Sequence, residues 1–231
     1  MTRKVLLALL ILVSILFIKG KGKTEYTASL VNDVEKARTL LNSYKSLLVE
    51  NNINTEAFEF AYAGFLTLQG WGELKNDSLL TIVDYSKPSV EDRFIILDIK
   101  NRKLIYKSLV AHGQNSGLNI AEDFSNKQQS HKSSLGLYLT SNTYSGKHGY
   151  SLRLKGLEEG INNNAWKRAI VVHGAEYVSH EFIQKNGRLG RSFGCPALPT
   201  KATEQIINLI KEGTCLYIYH PSIKTIYFAS H

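Results

Sequence analysis

Cysteine is scarce in this sequence, with two residues, Cys195 and Cys215, among 231. At most one disulfide can therefore form, and the contexts of the two thiols argue against it. Cys215 lies in an apolar run that is typical of a buried strand, whereas Cys195 lies in a glycine-rich turn, where a thiol is exposed. The disulfide stays an alternative, and it would exclude a nucleophilic role for Cys195 while it persisted.

Blocks of like charge are also missing, as is any interleaving of aromatic and basic residues, so the sequence does not resemble a nucleic-acid-binding module. The overall balance is basic, since 28 Lys and Arg face 20 Asp and Glu and give a net charge of +8. A basic surface attracts polyanions, among them the anionic face of a membrane and the acidic polymers of a cell wall. We expect no nucleic acid among the partners.

No apolar run reaches the roughly 20 residues that a membrane-spanning helix needs. The longest covers residues 5–18 and lies between Arg3-Lys4 and further lysines, which is typical of an export signal. No small-x-small cleavage site follows closely, so an uncleaved anchor with membrane association through residues 5–18 stays open. We predict that residues 1–23 are a signal peptide or an anchor. The remainder is then exported to the periplasm or cell envelope, either free or held at the inner membrane.

Internal repeats and low-complexity segments are absent, and two patterns follow the signal. Residues 24–78 show the 3.6-residue period of amphipathic helices, over 29–50 and again from Asn54 or Thr55, either of which can cap the second helix. Residues 79–231 show short β-branched and aromatic runs separated by turns. The predicted strands are 79–85, 93–99, 103–112, 135–143, 169–173 and 216–220, and one helix covers 201–211. The predicted fold class is mainly β, a sandwich or barrel with packed helices behind a helical N-terminal extension.

One histidine and one cysteine form the strongest candidate for chemistry. His173 ends the apolar run Ile170-Val-Val-His-Gly174, and Cys195 follows 22 positions later in a turn that contains Gly194. A free thiol has a pKa near 8.5 and needs a base to become nucleophilic at neutral pH. His173 can take that proton and later return it to a leaving amine. The alternative is a structural histidine and a packed cysteine, but the glycine-rich setting favours the catalytic pair.

The turn itself is a candidate oxyanion site. Gly194 permits a tight turn, so the backbone from Ser192 to Cys195, with the amides of Gly194 and Cys195, can approach a substrate carbonyl. Pro196 has no amide proton and cannot be a third donor.

Four further residues are candidate substrate contacts. They are His148 in a glycine-flanked loop, Tyr144 beside that loop, Arg191 next to the turn and Gly174 after the candidate base. The guanidinium of Arg191 is suited to a substrate carboxylate.

A zinc peptidase is a weaker alternative, in which His112 and His148 would join His173 as ligands. The sequence contains no His-Glu-x-x-His motif, and Cys195 would close the site as a fourth ligand. We expect no metal and no organic cofactor.

These residues resemble the L,D-transpeptidase catalytic domain, the YkuD-like family, whose signature pairs His-Gly with a Ser-His-Gly-Cys turn. His173-Gly174 matches the pair, and Ser192, Gly194 and Cys195 match the turn. Phe193 stands where most members have a second histidine, so the chain is similar to a divergent branch of murein L,D-transpeptidase catalytic domain proteins. The resemblance covers about residues 79–220, through Leu80-Thr-Ile-Val-Asp-Tyr-Ser86, Val110-Ala-His-Gly113, Phe124-Ser-Asn126, Ser133-Ser-Leu-Gly136, Gly146-Lys-His-Gly149, Ser151-Leu-Arg-Leu154 and Arg168-Ala-Ile-Val-Val-His-Gly174.

The resemblance implies an L,D-transpeptidase-type β domain and a reaction on peptidoglycan stem peptides. Cys195 would attack the carbonyl of the third residue of a donor tetrapeptide, release the terminal D-Ala and pass the acyl group to the amine of an acceptor diamino acid. His173 would be the base. An L,D-carboxypeptidase or endopeptidase on the same pair stays open, as does a wall-binding protein without activity. The oligomeric state is not predicted.

Overall fold

The computed structural model describes residue 33 and residues 36–228. The predicted signal or anchor, residues 1–23, lies outside these residues. Within the described part of the chain, no helix combines the length and the apolar character needed to cross a membrane.

The first helical region is interrupted, where the sequence predicted one continuous helix over 29–50. Residues 36–40 are helical, a 3-10 turn follows at Leu41–Tyr44, and helix α1 covers Lys45–Glu50. Tyr44 accounts for the break, because its hydroxyl donates to the Ile99 carbonyl at 3.2 Å and its ring packs on Phe58 and Tyr62. Tertiary packing thus overrides the helical period of the sequence here.

Helix α2 covers Thr55–Gly70 and carries the predicted cap. The Asn54 Oδ1 accepts hydrogen bonds from the amides of Glu56 and Ala57, at 2.9 and 3.3 Å, which satisfies two donors of the first turn. A Cβ at Gly64 would lie only 2.7 Å from Leu137, so this glycine lets α2 approach the sheet closely. The helix therefore shares one continuous apolar core with the β region.

Eight strands form a single mixed sheet in the order β3-β2-β1-β8-β4-β5-β6-β7. The strands are β1 Leu79–Asp84, β2 Phe94–Asp98, β3 Lys103–Ser108, β4 Gly136–Gly146, β5 Gly149–Gly156, β6 Val171–Ala175, β7 Ala197–Pro199 and β8 Cys215–Tyr219. The pairs β1–β8 and β6–β7 are parallel, and the others are antiparallel. Strand β8 is buried along its whole length, as expected for a strand covered on both faces.

The two edges of the sheet meet, which closes it towards a barrel. Ala111, just beyond β3, forms an antiparallel bridge with Ala197 of β7. The predicted class, mainly β with packed helices and a helical N-terminal region, is confirmed. The remaining helices are α3 His180–Asn186, α4 Thr200–Ile210 and α5 Ile223–Phe228. Strands β5 and β7 and helices α3 and α5 were not among the predicted elements.

Candidate active site

The parallel pairing of β6 and β7 brings the predicted pair to one place. His173 of β6 is in register with Ala197 of β7, and Cys195 comes two residues before Ala197. Ser151 of β5 is the other partner of His173, so these side chains share one face of the sheet. Both cysteines are free, and only Cys195 has exposed surface, since Cys215 is fully buried. The disulfide considered from the sequence is therefore not formed.

The turn before β7 is held by the hydroxyl of Ser192. This hydroxyl donates to the Cys195 carbonyl at 2.7 Å and accepts from the Gly194 amide at 3.0 Å. Gly194 has a φ of +120°, and a Cβ there would lie 2.7 Å from the Lys132 carbonyl oxygen. Only glycine fits this position, for reasons of both backbone conformation and space.

This arrangement differs from the two-donor oxyanion hole predicted from the sequence. The Gly194 amide is already bonded to Ser192, whereas the Cys195 amide makes no hydrogen bond within the described residues. Of the two predicted donors, only the Cys195 amide is thus unoccupied within the described residues, and the Gly194 amide becomes available if Ser192 releases it when substrate binds.

His173 is oriented by its own neighbour. Its Nδ1 lies 2.9 Å from the Gly174 carbonyl oxygen, which makes Nδ1 the protonated nitrogen and leaves Nε2 able to accept a proton. Burial lowers the pKa of His173, and the charge of His148 lowers it further, against the opposing effect of the Gly174 carbonyl. The two imidazole rings lie 4.5 Å apart. His173 is therefore neutral, and a competent base, at neutral pH.

The Cys195 thiol is neutral as well. Burial raises its pKa, while the Val171 amide and the Arg168 charge lower it without cancelling the effect of burial. The thiol donates to the Ala169 carbonyl at 3.7 Å rather than to His173. A rotation of the Cys195 side chain must therefore bring the sulfur to His173 when substrate binds, as catalytic contacts in unliganded sites often require.

A neutral resting pair predicts a distinct pH dependence of thiol alkylation. Reactivity follows the thiolate fraction, so iodoacetamide should modify free Cys195 slowly at pH 6 and reach its plateau only above the ordinary thiol pKa of about 8.5. Mass spectrometry of the alkylated protein measures this. A plateau already reached near pH 5 would instead indicate a preformed thiolate–imidazolium pair and contradict the prediction.

Arg168 is a residue of the site that sequence reasoning missed. Its guanidinium donates to the Ser125 carbonyl at 2.6 Å and to the Lys132 carbonyl at 2.5 Å, and it also bonds the hydroxyl of Ser134. A Cβ at Gly194 would lie 3.2 Å from its Nη2. The Arg168 guanidinium thus packs against the nucleophile turn at Gly194. In the sequence Arg168 stands out only as a charged residue directly before the apolar run that ends in His173.

The predicted substrate contacts fall into two groups. His148, at the exposed β4–β5 turn, packs against His173, and Tyr144 of β4 is in register with Ser151, the strand partner of His173. Arg191 instead donates to the carbonyls of Gln114 and Gly117, at 2.9 and 3.1 Å, and Gly174 faces helix α4. Contact with substrate stays a prediction for all four.

His112 does not join His148 and His173. It is fully buried, its Nδ1 lies 2.8 Å from the Arg93 guanidinium, and burial together with that charge lowers its pKa to about 3. Among residues 36–228, no three His, Cys, Asp or Glu side chains are placed to hold a metal ion together.

Phe193 occupies the position at which the resemblance leads one to expect a second histidine. Its ring is 67% exposed and lies on the ring of His131 at 4.5 Å, away from the turn interior. The imidazole that packs against His173 comes instead from His148 of the β4–β5 turn, and the Arg168 guanidinium lies next to Gly194 of the nucleophile turn.

Comparisons with known proteins agree with the resemblance. A family model for the L,D-transpeptidase catalytic domain matches residues 49–219. No curated protein matches the chain. Solved structures that match include the Ldtfm–avibactam carbamoyl enzyme at 10% identity, an L,D-transpeptidase from Mycobacterium smegmatis at 10% and one from Xylanimonas cellulosilytica at 13%.

These structural matches are partial. They cover 60%, 62% and 59% of this chain and 47%, 67% and 58% of those chains, with TM-scores of 0.36, 0.36 and 0.34. The chain thus spans about half the length of the first of them. TM-scores this low give no residue-by-residue correspondence, so the geometry of the site rests on this chain alone.

Proposed function

The chain belongs to the L,D-transpeptidase catalytic domain family, and from that premise we propose that it is a cysteine acyltransferase that cross-links peptidoglycan stem peptides. The observation that carries the proposal is the register of β6 and β7, which puts an oriented, neutral His173 and the Cys195 turn on one face of the sheet. A base with a free Nε2 on the same face of the sheet as a thiol that can rotate towards it is what acyl transfer through a thioester requires.

The first half of the reaction transfers the donor peptide to the enzyme. His173 Nε2 takes the thiol proton while the Cys195 sulfur attacks the carbonyl of the third residue of the tetrapeptide. The tetrahedral oxyanion accepts a hydrogen bond from the Cys195 amide, and the positive charge of Arg168 stabilises the negative charge that develops. The intermediate collapses with loss of the terminal D-Ala, whose amine receives the proton from His173, and a thioester remains on Cys195.

The second half resolves the thioester. The side-chain amine of an acceptor diamino acid attacks the thioester carbonyl, His173 takes the amine proton, and the Cys195 thiolate leaves and is reprotonated. If water attacks instead, the product is a tripeptide and the enzyme is a carboxypeptidase. No step needs a metal or an organic cofactor. Residues 5–18 would direct this activity to the periplasm or cell envelope.

Product analysis tests the proposal. The full chain is incubated with disaccharide-tetrapeptides, and the products are separated and weighed by mass spectrometry. Transfer predicts dimers that lack one D-Ala, whereas hydrolysis predicts tripeptide monomers only. Recovery of unchanged tetrapeptide, with Cys195 shown to be alkylatable, would contradict both outcomes and favour a wall-binding protein.

A further inference from the structure

Arg153, on the face of the sheet that carries His173, makes no hydrogen bond to any residue that the structure describes. We propose that Arg153 binds a carboxylate of the stem peptide next to the scissile bond. This inference rests on the proposed function and names the group that the same site recognises.

The register of the sheet places Arg153 one strand away from the nucleophile. Arg153 of β5 is paired with Val171 of β6, and the Val171 amide is one of the groups that lower the pKa of Cys195. Ser151, two residues earlier on β5, is paired with His173. Because side chains alternate along a strand, Arg153 and Ser151 point to the same side of the sheet. The register therefore puts Arg153 on the face of the sheet that carries His173, two residues along β5 from the strand partner of His173.

Two aromatic rings fix the guanidinium of Arg153. Its Cζ lies over the Tyr144 ring, 4.4 Å from the centroid, and over the Trp166 ring, 5.1 Å from the centroid. Tyr144 belongs to β4, and Trp166 lies on the segment before β6, so the guanidinium is held from two separate parts of the fold. Stacking uses the faces of the guanidinium plane and leaves the N–H donors at its edge available.

Those donors have no partner in the described residues, where Arg153 makes no hydrogen bond and no ion pair. The other arginines near the site are different, because Arg168 and Arg191 both donate to backbone carbonyls. A guanidinium that is held in place without an acceptor suits a carboxylate, which it can bind through two parallel hydrogen bonds. Little ordering entropy is lost on binding, since the rings already restrict the side chain. Trp166 is 51% exposed, so the stack is open to a ligand.

The proposed substrate has two carboxylates that are candidates for this contact. One is the terminal carboxylate of the D-Ala that leaves, and the other belongs to the third residue when its diamino acid carries a second carboxylate. The terminal carboxylate lies within a few bonds of the carbonyl that Cys195 attacks, whereas the second carboxylate lies at the far end of the diamino acid side chain. Recognition of the terminal group would direct the enzyme to free peptide ends, whereas recognition of the other would select the diamino acid.

Three peptides separate these sources: the tetrapeptide with both carboxylates, the same peptide with a C-terminal amide, and the peptide with the diamino acid carboxylate amidated. Their kcat/KM values are compared for the wild type and for Arg153→Met. We expect the wild type to prefer the full acid over one of the amides by about 10- to 100-fold, the range for losing a charge-assisted hydrogen-bonded pair. In Arg153→Met this preference should disappear, because the turnover of the acid slows while the turnover of the amide stays almost the same.

Two variants control for charge and folding. Lys155→Met removes a positive charge two residues further along β5 and should keep the full preference. Arg153→Lys keeps the charge but not the paired donors, and should therefore show only part of the wild-type preference for the acid. The iodoacetamide rate of Cys195 should be the same in all four proteins. Equal losses on acid and amide in Arg153→Met, or no preference in the wild type, would overturn the inference.

A binding measurement keeps the inference independent of turnover. Calorimetry with the Cys195→Ala protein should show tighter binding of the acid than of the amide, and Cys195→Ala/Arg153→Met should bind the two alike. An acid preference in binding without turnover would contradict the proposed function and leave the inference standing. Turnover by the wild type without any acid preference in binding would contradict the inference and leave the proposed function standing.

Discussion

Replacing Cys195 by alanine is expected to abolish both product formation and the covalent adduct with the donor peptide. The sulfur is the atom that forms the thioester, and no other free thiol is exposed, since Cys215 is fully buried in β8. Intact-protein mass spectrometry during turnover should show the wild type with the mass of the acyl tripeptide added. The Cys195→Ala protein should show no added mass at any time, and no dimer or tripeptide should accumulate.

The chain offers a matched control in its other cysteine. Cys215→Ala makes the same chemical change in the core, where burial already holds the thiol pKa far above its usual range. It should cost about 1 kcal/mol of stability through lost packing and leave the adduct and the products intact. Activity that survives in Cys195→Ala, or an adduct that moves to another residue, would contradict the thiol mechanism and the family-based proposal with it.

The sequence was sufficient to predict the pair because its signals are local. An apolar run that ends in His173-Gly174 predicts a strand end, and the glycines around Cys195 predict an open turn. The structure shows why position 194 needs glycine: a Cβ there would collide with the carbonyl oxygen of Lys132, a residue more than 60 positions away in the chain. Such contacts leave no periodic trace in the sequence.

The two strands that the sequence did not predict, β5 and β7, also depend on contacts between distant parts of the chain. β7 is only three residues long, and it is a strand because it pairs with β6 and with Ala111, not because of its composition. β5 does alternate, since Leu152 and Leu154 are buried and Arg153 is not, but the pattern is short and begins in a glycine-rich turn. The predicted sandwich or barrel could therefore not be resolved into one closed mixed sheet without knowledge of the pairing.

Arg168 shows most clearly what the sequence alone cannot predict, because its role depends on contacts with the loop of residues 125–134. Its partners Ser125 and Lys132 accept hydrogen bonds through their backbone carbonyls, which every residue has. A backbone acceptor is invisible to a search for paired charged side chains. Position 193 holds a phenylalanine instead of the histidine that the resemblance leads one to expect, and Arg168 is a charged group that lowers the pKa of Cys195.

Replacing Arg168 by methionine is accordingly expected to lower the rate of acyl transfer about 100- to 1000-fold, the range seen when one preorganised electrostatic contact to a reacting group is removed. The charge of Arg168 lowers the Cys195 pKa, so its loss should move the alkylation profile of the thiol to higher pH. Alkylation rates between pH 6 and pH 10 measure that displacement directly, without a substrate.

Arg168 also joins the loop of residues 125–134 to the nucleophile turn. A structural effect of its replacement must therefore be separated from an electrostatic one. Arg168→Lys keeps the charge and loses most of the hydrogen bonds, and should therefore restore the pH profile better than it restores the melting temperature. Arg191→Met removes an arginine that holds a neighbouring loop through carbonyls but does not affect the thiol pKa.

The two roles give opposite patterns across these variants. If the charge acts on the thiol, the alkylation profile shifts in Arg168→Met, returns in Arg168→Lys and stays at the wild-type position in Arg191→Met. If Arg168 only supports the loop, the methionine and lysine variants lose melting temperature and activity together while the profile stays in place. The second pattern would leave the Val171 amide as the remaining group that lowers the pKa of Cys195, and His173 would then carry most of the activation of the thiol.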